Sequence, residues 1–170
     1  MTKYKTDEEY LLIIDKIMNN KEFMKLENIK HHNTNRLDHS LKVSYYSYKI
    51  AKSLKLDYHD VARAGLLHDF YVESISKCDN IKDKLLLFTT KHPCDALENS
   101  SKYFSLSEKE MDIIKSHMFP VDYRIPKYAE SWLVSIVDKG LSLGEFYKKF
   151  SLRIAYAFNL YLIFILNTIK

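Results

Sequence analysis

Apolar residues recur along much of this chain at intervals of three and four, the spacing of one face of an α-helix. From Asp7 to Asn19 the positions Tyr10, Ile13, Ile14 and Ile17 form such a face, with Asp7, Glu8 and Glu9 in the first turn, where the helix dipole favours acids. The run NIKHHNTN, Asn28 to Asn35, has no periodicity and reads as a loop. A helix is expected to begin near Asp38 and to end around Lys55, its stripe formed by Leu41, Tyr45, Tyr48 and Ala51 to Leu54. A second runs from about Tyr58 to Asp69, with Asp57 as N-cap and Val61, Ala64, Leu66 and Leu67 buried. Lys82 to Thr90 reads as a short, partly helical piece, and His92-Pro93 as the start of a new helix, since proline at the first position gives up an amide that has no partner there. Ser107 and Glu110 form a capping box for a helix ending near His117, and Tyr128 to Leu143 is helical again.

Composition narrows the fold class. A chain of 170 residues, 46% of them hydrophobic, supports one substantial core, so a single domain over 1–170 is expected. Three glycines and three prolines are too few for the tight turns of a hairpin-rich β fold. The expectation is an all-α, compact helical bundle. The net charge of +4 is spread without a basic block, so nucleic acid is not an expected partner. Cys78 and Cys94 are too few for a disulfide framework and the N-terminus lacks an apolar signal region, which together point to the cytoplasm. The stretch IAYAFNLYLIFILNTI, Ile154 to Ile169, is shorter than the roughly 20 residues of a membrane span and is interrupted by Asn159 and Asn167. It reads as an apolar closing helix within 146–170, with a homo-oligomer contact or a weak membrane contact through 152–169 as its alternatives.

Six residues carry candidate chemistry: His39, the adjacent pair His68-Asp69, His92, His117 and Asp138. Imidazole and carboxylate suit Fe, Mn, Ni, Co or Zn, and a shared carboxylate can hold two ions a few ångströms apart. Their intervals let several helices each contribute a ligand to one centre, as bundle metal sites are built. His31 and His32 precede the first ligand in the expected loop, and His59 sits on a polar side; none is given a role. Most of the 13 tyrosines read as core residues with one wet end.

The segments RLDHSLKVS (Arg36 to Ser44), ARAGLLHDF (Ala62 to Phe70) and VDKG (Val137 to Gly140) resemble the HD-domain superfamily of metal-dependent phosphohydrolases over about residues 30–145. The resemblance implies that His39, His68, Asp69 and Asp138 bind one metal, that His92 and His117 bind a second, and that Asp69 bridges. It is closer to the small bacterial diadenosine-tetraphosphate hydrolase-like branch than to the cyclic-di-GMP phosphodiesterase branch, since the doublet continues as HDFYVES. Two divalent ions, iron favoured, would then activate a bridging hydroxide on a small phosphorylated substrate, a nucleotide among the candidates, with Asp69 and His68 at the reacting centre. Arg63 is a candidate either to brace Asp69 or to meet phosphate, and Arg36 and Lys139 are phosphate-contact candidates. The same six ligands suit two other readings: a di-iron oxygenase, and a non-catalytic nucleotide sensor.

Overall fold

The computed structural model describes residues 3–31, 34–71, 81–144 and Tyr147. Within them lie seven α-helices: α1 (Glu8–Met18), α2 (Lys21–Met24), α3 (Arg36–Ser53), α4 (Tyr58–Leu67), α5 (Ile81–Tyr103), α6 (Glu108–Ser116) and α7, residues 129–144. The fold is all-α, as the composition predicts. None of the helices among the described residues is long and apolar enough to cross a membrane. Cys78 and the apolar stretch 152–169 lie outside the described residues.

Short polar side chains set the helix starts. The side chains of Asp7, Asn20, Asn35, Asp57 and Ser107 each accept a backbone amide of the following first turn, replacing bonds that the helix cannot make for itself. Ser107 and Glu110 complete the expected capping box. Asn35 starts α3 two residues earlier than the apolar stripe indicates, so Arg36 occupies the first turn. Residues 28–35 are not wholly irregular, because Lys30–His31 (β1) pairs antiparallel with Thr34–Asn35 (β2). The expected break at His92-Pro93 is absent: α5 is continuous, with Pro93 inside it. Proline removes one amide and crowds the carbonyls a turn earlier. Here Arg124 Nη2 donates to the Thr90 carbonyl at 2.7 Å, a bond from a distant segment one turn before Pro93.

α3 and α4 form the central pair. Gly65 lies so close to α3 that a Cβ in its place would be 3.1 Å from the Ser44 Cα. Ser44 Oγ donates to the Ala62 carbonyl at 2.6 Å and accepts from Tyr10 Oη at 2.8 Å, tying α1, α3 and α4 together at one point. Around this junction the buried Val43, Tyr48, Val61, Leu66 and Leu67 meet Tyr10, Ile14 and Ile17 of α1, Ile113 and Ile114 of α6, and Val134 of α7. Glu130, at the start of α7, closes the other side. Its carboxylate accepts from the Asp57 amide at 3.1 Å and from Lys109 Nζ at 2.9 Å, so one side chain links the first turns of α4, α6 and α7.

Two outcomes test this account. Gly65→Ala offers better helix propensity, yet its methyl meets backbone that can move only if α3 and α4 part; urea unfolding is expected to show a net loss of about 1 kcal/mol. A gain would overturn the close-packing account. Burial pushes the Glu130 carboxyl up, but Lys109 and the Asp57 amide outweigh it and hold the pKa below the ordinary glutamate value. A depressed folded-state pKa contributes stability that is present above the unfolded value and is lost as pH falls through the folded one. Glu130→Gln is therefore expected to cost about 1–3 kcal/mol at neutral pH, with wild type and variant converging in melts below pH about 4; parallel curves at all pH values would contradict it.

Candidate metal centre

Five helices deliver the six residues. His39 projects from the first turns of α3, His68 and Asp69 follow the last turn of α4, His92 lies within α5, His117 caps α6 and Asp138 lies on α7. All six are buried, none more than 8% exposed. α4 ends at Leu67 rather than at Asp69, and this matters locally. Consecutive residues on a helix point about 100° apart; leaving the helix frees Asp69 to turn toward the same centre as His68.

The two capping histidines are held in the same way. His68 Nδ1 lies 2.8 Å from the Gly65 carbonyl, and His117 Nδ1 lies 2.7 Å from the Ile114 carbonyl, each three residues back. The last carbonyls of a helix lack amide partners. Each ring satisfies one of them by donating from Nδ1, which leaves Nε2 facing the centre as the nitrogen able to bind a metal. The sequence reading does not identify these backbone partners, although a histidine just past a helical apolar run is the signal that points to them.

The Nε2 and carboxylate atoms converge in two groups that share Asp69. His39 Nε2 lies 3.0 Å from Asp138 Oδ1; His68 Nε2 lies 3.6 Å from Asp138 Oδ1 and 3.8 Å from Asp69 Oδ2. The other oxygen of the bridge candidate, Asp69 Oδ1, lies 3.6 Å from His92 Nε2 and 3.8 Å from His117 Nε2, and the latter two nitrogens are 2.9 Å apart. Two atoms bound to one ion at about 2.1 Å are about 3.0 Å apart at right angles and about 4.2 Å apart when opposite. The observed separations fall in that interval. His39, His68 and Asp69 form one group able to hold a metal ion, and Asp69, His92 and His117 another.

Electrostatics favour a cation in this place. Burial alone would depress the His68 imidazole, but Asp69 and Asp138 override it and push its pKa up to about 9. Its Nε2 is buried with no hydrogen-bond partner among the described residues. His117 goes the other way, driven down to about 3 by burial and then by His68 and His92, so its ring stays neutral and able to donate a lone pair. Burial pushes the Asp138 carboxyl up, yet His39 and His68 hold it well below the usual carboxylate range. Asp138 thus stays ionised in a buried site, held so by the imidazoles around it.

The three cationic candidates have separate fates. Arg36 is buried beside the centre: its guanidinium lies 3.7 Å over the Tyr71 ring and Nη1 donates to the Tyr71 carbonyl, while Tyr71 packs on His92 with ring centres 5.3 Å apart. No carboxylate pairs with Arg36 among the described residues, and its Nε has no partner there. Arg63 faces away from Asp69, binding Glu110 and donating to the Ser105 carbonyl at 3.0 Å, so the sequence expectation of a brace on Asp69 gives way to a link between α4 and the start of α6. Lys139 donates to the His117 carbonyl at 2.5 Å and to Ser135 Oγ at 2.9 Å, and burial lowers its pKa against the pull of Asp138. Those bonds hold the end of α6 against α7. His59 is exposed and stacks on Tyr58, outside the centre.

Comparison with curated proteins and with solved structures gives no match. The HD domain family matches residues 36–140, well over half of the chain and a span that contains all six converging residues. On that match, and with the His-Asp doublet brought beside both the first histidine and the distant aspartate, the chain belongs to the HD-domain family.

Proposed function

We propose that this chain is a metal-dependent phosphohydrolase that cleaves a nucleotide or another small phosphate ester, using two divalent cations, iron favoured, held by the six buried side chains. The observation that carries the reading is the division of Asp69, which turns one oxygen toward His68 and the other toward His92 and His117. That division supports a carboxylate bridge between a cation held by His39, His68 and Asp138 and a cation held by His92 and His117. Divalent ions bound there acidify a water and offset the charge that gathers on phosphorus.

The chain's own groups have defined tasks in this reading. The Gly65 and Ile114 carbonyls keep the protons of His68 and His117 on Nδ1, so both Nε2 atoms remain available as ligands. Lys139 holds His117 in place through its carbonyl. Arg36, charged, buried and without a carboxylate partner among the described residues, is the cation best placed to meet a substrate phosphate, and Tyr71 fixes its plane. Similarity to the diadenosine-tetraphosphate hydrolase-like branch favours a nucleotide over a sugar phosphate.

Elemental analysis of protein purified without added metal tests the site. About two ions per chain are expected in the wild type and about one in His92→Ala and in His117→Ala; one ion in all three would sink the dinuclear reading. With a panel of nucleotides and simpler phosphate esters, the wild type is expected to release phosphate and Asp69→Asn to be slower by at least about a hundredfold. Oxygen uptake without ester cleavage would replace hydrolysis by di-iron oxygen chemistry. Tight nucleotide binding with neither activity would make the domain a sensor.

A further inference from the structure

Asparagine is a poor residue for the body of a helix, since its side chain competes for backbone groups and it ranks below alanine in helix propensity. Asn99 nevertheless lies a full turn inside the C-terminal end of α5. Its amide is engaged across the fold rather than within the helix: Nδ2 donates to the Phe70 carbonyl at 3.0 Å. Phe70 directly follows Asp69, the carboxylate whose two oxygens face the two histidine groups.

The segment that Asn99 holds is a short turn beyond the end of α4. Within it the Phe70 amide donates to the Leu67 carbonyl at 3.0 Å and the Tyr71 amide to the Asp69 carbonyl at 2.8 Å. Local bonds of this kind at a helix end fray. The buried Phe70 ring packs on Phe23, with centres 5.3 Å apart, and on Tyr103 at 6.0 Å. Ring packing is non-directional, whereas a hydrogen bond weakens steeply with angle and so fixes the plane of a peptide. Two side chains from other helices supply such bonds: Arg36 donates to the Tyr71 carbonyl and Asn99 to the Phe70 carbonyl. Each shares a helix face with a residue of the centre. Arg36 is three residues before His39 on α3, and Asn99 is seven after His92 on α5, intervals that return to the same side of a helix.

We infer that Asn99 is a positioning residue, which through the Phe70 carbonyl fixes the turn that aims Asp69 at His92 and His117. One face of α5 then meets this segment at two points about 10 Å apart along the helix axis, His92 at the Asp69 carboxylate and Asn99 at the next carbonyl. With both in place α5 cannot slide or roll against the turn without breaking one of them. The 3.6 Å separation of His92 Nε2 from Asp69 Oδ1 is thereby tied to the backbone. The other group has its own supports: Asp138 approaches His39 and His68, and the Gly65 carbonyl holds the His68 ring. Loss of Asn99 therefore falls on the His92 and His117 group and largely spares the other. The inference rests on the two-cation reading proposed above.

Calorimetric titration of the metal-stripped full chain with Mn²⁺ tests it. The wild type is expected to take up two ions, and His92→Ala identifies which binding event belongs to the second group. Asn99→Ala and Asn99→Asp, the latter of the same shape but without the donor, are expected to keep the other ion within about twofold of wild type. The ion missing in His92→Ala is expected to bind them at least about tenfold more weakly, the scale for losing a group that orients a metal ligand. Helical circular dichroism of Asn99→Ala is expected to be unchanged, since alanine favours the helix. Glu98→Ala, one position away and exposed, is expected to leave both ions as in the wild type. A wild type that takes up a single ion sinks the two-cation reading and the inference with it. Two ions in the wild type and unchanged affinities in both Asn99 variants sink the inference alone. Equal weakening of both ions, or loss of helical signal in both variants, also overturns it, since the bond would then serve the fold at large.

Discussion

Two carboxylates buried among four imidazoles impose the constraint on which this structure depends. An ionised side chain removed from water without compensation is costly, and Asp69 and Asp138 lie at the meeting point of five helices with almost no solvent access. Among the described residues, the two cations nearest them in sequence turn to other partners. Arg63 and Lys139, each within a few positions of a ligand, bind Glu110 and the His117 carbonyl instead. Imidazoles face them, and Asp69 and Asp138 hold the pKa of His68 up against its burial, so the site favours positive charge. A divalent cation answers that demand better than a proton, since it brings more charge and engages several ligands at once.

Helix ends make the arrangement possible. His68 and His117 stand just past the last turns of α4 and α6, where unpaired carbonyls need donors, and each ring meets that need with the nitrogen that does not face the centre. The same bond settles the tautomer, the ring direction and the closure of the helix. Asp69 gains its reach because the helix has stopped before it. Had α4 continued to Asp69, as periodicity suggests, the doublet would diverge and one carboxylate could not address both histidine groups.

Much of this was legible in the sequence, for identifiable reasons. Helix caps at Asp57 and Ser107 rest on contacts within three residues, so local pattern suffices to find them. The six residues that converge at the centre stood out by residue type and by resemblance to a motif. The setting of His92 did not. Proline after a histidine reads as a helix start, whereas α5 runs on through Pro93, with Arg124 from far along the chain bound to the Thr90 carbonyl just before it. The true partners of Arg63 were hidden for the same reason, since Glu110 and Ser105 lie on another element and leave no trace in local spacing. The pairing of β1 with β2 is two residues long on each side, too short to generate any periodicity.

The division between these two kinds of residue follows the architecture. The α1–α3–α4 junction around Ser44 and Gly65 is assembled from apolar packing and neutral hydrogen bonds, and it needs no ion to be satisfied. The centre draws on that junction directly, because Gly65 supplies both the close helix contact and the carbonyl that orients His68. α6 and α7 pack on the junction through Ile113, Ile114 and Val134, and α5, α6 and α7 also meet the earlier helices at the centre, where His92 and His117 approach Asp69 and Asp138 approaches His39. A cation held there would add its binding energy to the docking of the later helices upon the earlier ones, so metal affinity and the stability of the second half of the domain would be coupled.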